Sequence, residues 1–491
     1  MIRNPSRRTV LKTAGVAALA GGLALGSGES VAAPRRATVN VRDHGAVGDG
    51  VTEDTVAFQS AIDAIADAGG GTLIIPPATY VLARANAVVL RADNMSVEAT
   101  GATFTRPDAK NVPRAMFVAN TRGTPGYGAG IRNLTWRGGK FVGSLAEGRF
   151  ICLFGLHHAQ DCLFEDITAE NCQASGSHQF DLGAADGVTV RRCTFRGQDW
   201  TETAGAEAVQ VDGSYRGTLT GGTEQAGFSG LMSRRITVEH CTFEPFTDAD
   251  GKVWPGPTPM GCHFAVEGKY YEDIRFVHNV VREPRAAVLF GDHRDTWRGV
   301  VHFISVRGLE IAHNQFTMTA GRQTRVIAAN SIGWGVVADA DPEVGSPKAD
   351  WAVPNATSDI VINNNVINGF TVEAGVDEMG AIVVLGMPGA EATGVSILSN
   401  TISGGYHPEA AQRAAGVEIT NAHEVRVERN KIADYYAGVE LATVSSSRVL
   451  SNQIQNHTGT PFPAAVVARD VTDTSIRPGR TVGYEAAVDR G

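Results

Sequence analysis

A four-residue phrase recurs along the chain: an apolar residue, two mostly polar residues, then Asn or Cys. It reads Val190-Arg191-Arg192-Cys193, Val238-Glu239-His240-Cys241, Phe276-Val277-His278-Asn279 and Ile311-Ala312-His313-Asn314. It returns as Ile362-Asn363-Asn364-Asn365, Ile397-Leu398-Ser399-Asn400, Val427-Glu428-Arg429-Asn430 and Val449-Leu450-Ser451-Asn452. The closing positions lie 48, 38, 35, 51, 35, 30 and 22 residues apart. The last spacing suits one bare coil of a solenoid, and the longer ones suit a coil carrying a loop. A single coil cannot bury its apolar residues, so coils must stack. The repeated Asn then has a physical reason. Its amide can bond the same amide one coil above and below, and Asn tolerates the left-handed backbone of a tight corner.

A second strand precedes the phrase. Phe180-Asp181-Leu182, Val417-Glu418-Ile419 and Val439-Glu440-Leu441 each begin ten residues before the next phrase begins. A period of two sends Phe180, Leu182, Val417 and Ile419 inward, and Asp181, Glu418 and Glu440 outward. Near the start, Phe58, Ile62 and Ile65 form the apolar stripe of an amphipathic helix. Gly69-Gly70-Gly71 ends that helix and Thr72-Leu73-Ile74-Ile75 opens a strand. Such a helix can cover the open end of the first coil. The pattern predicts an all-β solenoid over residues 38–470 with an N-terminal capping helix, and a tail or end cover at 471–491.

Residues 1–32 read as a targeting signal. Ser6-Arg7-Arg8-Thr9-Val10-Leu11-Lys12 resembles a twin-arginine export motif, an apolar run from Ala14 to Leu25 follows, and Ser30-Val31-Ala32 supplies small residues for cleavage. Secretion through the twin-arginine pathway is therefore expected. The apolar run is too short and Gly-rich to remain as a membrane span. Loss of this segment removes four positive charges and one negative, taking the formal net charge from −9 to −12. An acidic surface argues against nucleic acid and anionic membranes as partners. Cys152, Cys162, Cys172, Cys193, Cys241 and Cys262 form no CxxC pair, and several sit at strand-like apolar positions. Buried thiols are expected, with no metal centre of zinc type.

The stretch from Val41-Arg42-Asp43-His44-Gly45-Ala46-Val47-Gly48-Asp49-Gly50 to residue 82 closely resembles the N-terminal signature of the pectate lyase-like superfamily. That group includes rhamnogalacturonase-type and polygalacturonase-type enzymes, lyases, epimerases and phage depolymerases. The resemblance implies a right-handed parallel β-helix and carbohydrate chemistry, with a polysaccharide or oligosaccharide as partner. Polygalacturonase-type enzymes carry adjacent Asp pairs, Gly-His-Gly and Arg-x-Lys. This chain offers only Gly261-Cys262-His263, which points to another glycan or another reaction.

Insertions concentrate at 198–205, 213–233, 244–260, 291–300 and 331–357 and frame a candidate cleft. Within it, stacking Phe180, Val209 and Val266 inside would put Asp181, Gln210 and Glu267 in one outward column. Asp212 follows two residues after Gln210, making it a diagonal neighbour of Asp181. Two close carboxylates can supply a protonated acid beside an ionised base, which glycoside hydrolysis requires. The expectation is a glycoside hydrolase with Asp212 as acid and Asp181 in the base pair, assisted by Glu267 and His263. Gln210, Lys269, Arg285 and His293 are candidate sugar contacts, and Trp200 and Trp254 candidate stacking surfaces. His178 and Glu207 share the inward parity and read as buried partners. No cofactor is needed for hydrolysis. In a lyase or epimerase the acidic column would instead hold Ca²⁺ against a uronate, with Arg285, Lys269 or a His taking the C5 proton. A glycan-binding solenoid without catalysis is the remaining alternative.

Overall fold

The structure is a computed structural model. It describes residues 36–491 except 84–87, 108–113, 174–176, 200–206, 217–226, 263, 286–298, 319–324, 334–340, 344–352, 371–379 and 406–413. The expected targeting segment therefore lies outside the described residues.

The recurring phrase is the place where one strand ends and the next begins. In one representative coil, Asp186–Arg191 runs in one sheet, Thr194–Gln198 turns into another, and Glu207–Asp212 returns in a third. We call the sheet containing Glu207–Asp212 the first, that of Asp186–Arg191 the second and that of Thr194–Gln198 the third. Every coil-to-coil pairing in the three sheets is parallel, so the chain is a right-handed parallel β-helix. The first residues of all eight phrases fall into one column of the second sheet: Val190, Val238, Phe276, Ile311, Ile362, Ile397, Val427 and Val449. All eight are buried in the core.

The closing Asn forms the ladder its repetition predicts. The Nδ2 of Asn279, Asn314, Asn365, Asn400 and Asn430 donates to the Oδ1 of the next Asn, at 3.1, 2.9, 3.0, 3.0 and 3.0 Å, ending on Asn452. Each Oδ1 also accepts a backbone N–H from the coil before, as when Asn314 N donates to Asn365 Oδ1 at 3.0 Å. Each second amide hydrogen reaches a carbonyl, so the buried amides are satisfied. The left-handed corner falls one residue earlier than expected. His240, His278, His313, Asn364, Ser399, Arg429 and Ser451 carry positive φ, between 53° and 59°. The corner must turn before the Asn so that its side chain can point inward. Cys193 and Cys241 occupy the same ladder position on the N-terminal side, and all six cysteines are buried and free.

The helix Thr55–Asp67 buries Phe58, Ala61, Ile62 and Ile65 on the first coils. Phe58 packs edge-on against Tyr80 and Phe104, with ring centroids at 5.1 and 6.0 Å. Gly71 opens the following strand so close to Ala37 O that a Cβ would lie 2.2 Å from it. At the other end, the boundary at 470 needs correction. Ser475–Val482 pairs with Arg448–Gln455, and Tyr484–Asp489 pairs with Phe462–Arg469, so residues 471–491 add a further coil. The apolar register continues there through Ile476 and Val488, which the Asn phrase does not mark. Among the described residues no helix is long and apolar enough to cross a membrane.

The longest connections, Asp212 to Arg234, Glu244 to Thr258, Arg282 to Val301 and Asn330 to Ser358, all enter or leave the first sheet. The second-to-third corner is four residues long in the first coils, as from Glu98 to Thr103, and two in the middle ones, as from Glu239 to Thr242. Elaboration of the coil is thus confined to the margins of one sheet.

Candidate functional site

On the outward face of the first sheet, Asp181 pairs with Gln210 and Gly183 with Asp212. The two predicted strands therefore stack in the predicted register, and Asp212 is diagonal to Asp181. Asp181, Gln210 and Asp212 are all buried, although they point away from the core. Farther along the same column Glu418 and Glu440 are half-buried, and Glu440 pairs with Arg469 at 3.0 Å. The middle of the column is thus a covered polar patch, in contrast to the wetter acids beyond it.

The third strand departs from expectation. Thr258–Gly261 is the strand that follows Glu207–Asp212, with Met260 beside Val209 and Gly261 beside Gln210. Glu267 does not join the column. It lies with Gly268 and Lys269 in an exposed turn held by Asn355. Asn355 Oδ1 accepts from Gly268 N at 2.8 Å, and its Nδ2 donates to Val266 O at 2.7 Å and Lys269 O at 3.0 Å. The predicted register was off by six residues. An even slip keeps apolar residues inward, so alternation cannot detect it.

What occupies the column at Gly261 is a side chain from the next coil. His302 pairs with Gly261, and a Cβ on Gly261 would lie 2.5 Å from His302 Nε2. Only a residue without a side chain leaves room for that imidazole. His302 Nδ1 lies 2.8 Å from Gly299 O and Nε2 lies 3.1 Å from Glu207 Oε1. A carbonyl can only accept, which assigns the hydrogen on Nδ1. The contact between Nε2 and the carboxyl brings two buried groups together. On the other side of Glu207, His178 Nδ1 sits 2.9 Å from its backbone oxygen and 3.7 Å from Oε2. His178 and Glu207 are buried, as their parity predicted. His302 was not singled out in the sequence. Its signal was an outward His in Val301-His302-Phe303-Ile304 one coil after an outward Gly.

Asp212 faces donors. Gln210 Nε2 donates to its Oδ2, and Tyr271 Oη lies 3.4 Å from its Oδ1 and 2.9 Å from Phe264 O, with one hydrogen to give to either. Burial, with the Asp212 charge adding, holds the Tyr271 hydroxyl well above its usual range. The Cys262 thiol is raised in the same way by burial, with Asp212 and Glu207 contributing. The Cys152 thiol is raised by burial first and Asp181 next.

Arg285 is buried where the chain enters Thr258–Gly261. Its backbone N–H donates to Gly256 O at 2.7 Å and its carbonyl accepts from Thr258 Oγ1 at 3.3 Å. Lys269 is exposed on the turn beside Glu267. Trp254 is buried in a small hairpin formed by Phe246–Thr247 and Val253–Trp254. Its Nε1 donates to Asp248 Oδ2 at 2.9 Å, and Lys252 Nζ covers the ring at 3.6 Å. That indole therefore packs the hairpin and offers no open stacking face. His263, His293 and Trp200 lie outside the described residues.

Ca²⁺ takes roughly six to eight oxygens, and the described residues of the column do not by themselves assemble such a set. Gln210 turns an amide donor and Tyr271 a hydroxyl onto Asp212. Among the described residues no three His, Cys, Asp or Glu side chains gather round one point.

Residues 38–254 match the family model described as rhamnogalacturonase A/epimerase, pectate lyase-like. Mannuronan C5-epimerase AlgE6 of Azotobacter vinelandii is 61% identical over 41 residues, 8% of this chain and 5% of that protein. Plasmin and fibronectin-binding protein A of Streptococcus pneumoniae is 26% identical over 240 residues, 47% of this chain and 31% of its own length. The chain thus spans only a small part of these relatives. Among solved structures, the S. pneumoniae surface protein and adhesin PfbA superposes with a TM-score of 0.57 at 16% identity, covering 92% of this chain and 100% of that one. The tailspike of E. coli bacteriophage HK620, in complex with a pentasaccharide, gives 0.50 at 14% identity, covering 92% and 80%. At these identities the likeness is one of fold.

Proposed function

We propose that the protein is exported and acts on an extracellular polysaccharide lying across the first sheet, hydrolysing a glycosidic bond by paired-carboxylate catalysis. The observation that carries this reading is the register of Asp181 with Gln210 and of Gly183 with Asp212. It sets the two side chains diagonally, roughly 7–8 Å apart at Cβ. Inversion at the anomeric carbon requires carboxyl groups about 6.5–9.5 Å apart, with room for a water between them, and side chains on that diagonal can reach this range. The donors facing Asp212 suit a carboxylate that accepts a proton, so we assign Asp212 the base role and Asp181 the acid role. This reverses the assignment made from sequence. Gln210 orients Asp212, and Arg285, Lys269 and Glu267 are proposed sugar contacts at the edge of the sheet.

A second reading is proton transfer at C5 of a uronate, as in an epimerase or lyase. The short, strong likeness to a mannuronan C5-epimerase supports it, as does the close approach of the Glu207 carboxyl to the His302 imidazole. The two readings separate on one panel of neutral and uronic polysaccharides. New reducing ends without unsaturated-uronate absorbance support hydrolysis. Absorbance supports a lyase, and inverted C5 centres by proton NMR without chain cleavage support an epimerase. Tight binding with none of these would make the protein a glycan binder.

A further inference from the structure

Three histidines stand in a row at the corner between the second and third sheets, far in the coil from the first-sheet site. His240, His278 and His313 occupy the left-handed position on three consecutive coils, and all are exposed. Their rings stack nearly parallel, with centroids 4.9 Å apart at 3° and 4.7 Å apart at 6°. The coil repeat sets that spacing. We propose that this row is a surface binding site for a divalent transition-metal ion of the zinc, copper or nickel type, chelated by His278 and one neighbour.

Imidazole nitrogen suits these ions and does not suit Ca²⁺ or Mg²⁺. Two nitrogens bound to one tetrahedral ion at ~2.0–2.1 Å lie about 3.4 Å apart. The stacked rings must therefore converge by roughly 1–1.5 Å at one edge, a tilt that exposed side chains make by rotation about χ1 and χ2. The row is not preassembled: among the described residues no three ligands already surround a point. Binding by two imidazoles leaves the other positions to water or an outside ligand. The middle ring is suited to the task because it has a stacked imidazole on each side.

Calorimetric titration of the mature protein with Zn²⁺, and with Ca²⁺ as control, tests the site. One saturable Zn²⁺ per chain is expected, with no comparable Ca²⁺ heat. His278→Asn should weaken Zn²⁺ by at least about tenfold. Asn already stands at the equivalent left-handed position as Asn364, so this variant should fold and melt like the parent. His240→Asn and His313→Asn should each weaken binding less, because His278 keeps one partner. The exposed His457, elsewhere on the surface, should be dispensable as His457→Asn. No saturable Zn²⁺ binding, binding undiminished in His278→Asn, or equal loss in His457→Asn would overturn the proposal. Polysaccharide turnover plays no part in the readout, so the two proposals stand or fall separately.

Discussion

Lowering the pH should loosen the coil that carries His157 and His158, by an amount the structure sets. The two rings stack with centroids 3.9 Å apart, buried under Ser214 and Ser229. Thr121 Oγ1 is 2.8 Å from the Nδ1 of each, and the two Nε2 atoms reach Ser214 Oγ and Ser229 Oγ at 2.7 Å. One hydroxyl can donate to one ring and accept from the other, which suits two neutral imidazoles. Burial, with His158 adding, pushes the His157 pKa from 6.5 to about 2, and burial alone takes His158 to about 4. The unfolded chain therefore takes up protons below about pH 6.5 that the folded chain refuses. Stability is complete above that pH and falls as the pH drops through it. At pH 5 each histidine accounts for about 2 kcal/mol, together about 4 kcal/mol, or on the order of a thousandfold in the local opening equilibrium. Hydrogen exchange read on peptides covering Ile151–His157, corrected for intrinsic rates, measures that opening at pH 7.5 and 5.0. His158→Asn should remove about half of the pH effect. Equal protection at the two pH values, or a full effect retained in the variant, would mean that the two histidines do not govern the opening.

Gly261→Ala should cost about 1–3 kcal/mol, because the new methyl overlaps the His302 ring and no slack side chain can yield. Its thermal midpoint and its turnover should fall together, and an unchanged pair would show that His302 can sit elsewhere. Asn365→Ala should cost about 2–4 kcal/mol in a denaturant melt. It strips the acceptor used by both Asn314 N and Asn314 Nδ2, and deletes the donors to Ile311 O and Asn400 Oδ1. Loss well under 1 kcal/mol would mean that water replaces the amide.

The coil was legible because its signals are local and repeated. An apolar residue three positions before a buried Asn or Cys marks the second-sheet strands from 190 to 452, and the same periodicity aligned Phe180 with Val209. The capping helix announced itself through Phe58, Ile62 and Ile65. Three things were not legible, each for a physical reason. The strand after Glu207–Asp212 could be 258–261 or six residues later, since both keep the same parity. The last coil lacks Asn at its corner, where Gly479 stands beside Asn452 instead. His302 enters the column from the following coil across Gly261, a contact no pattern within one strand encodes.

The central claim is that Asp181 and Asp212 work as a catalytic pair on the first sheet. The most direct measurement is turnover by Asp181→Asn and Asp212→Asn on the polysaccharide that the parent protein cleaves, with binding to the same polymer measured alongside. At least about a hundredfold loss of turnover is expected in each variant, with binding retained. Turnover at the parent rate in both variants would contradict it and move the chemistry to other residues of the same face.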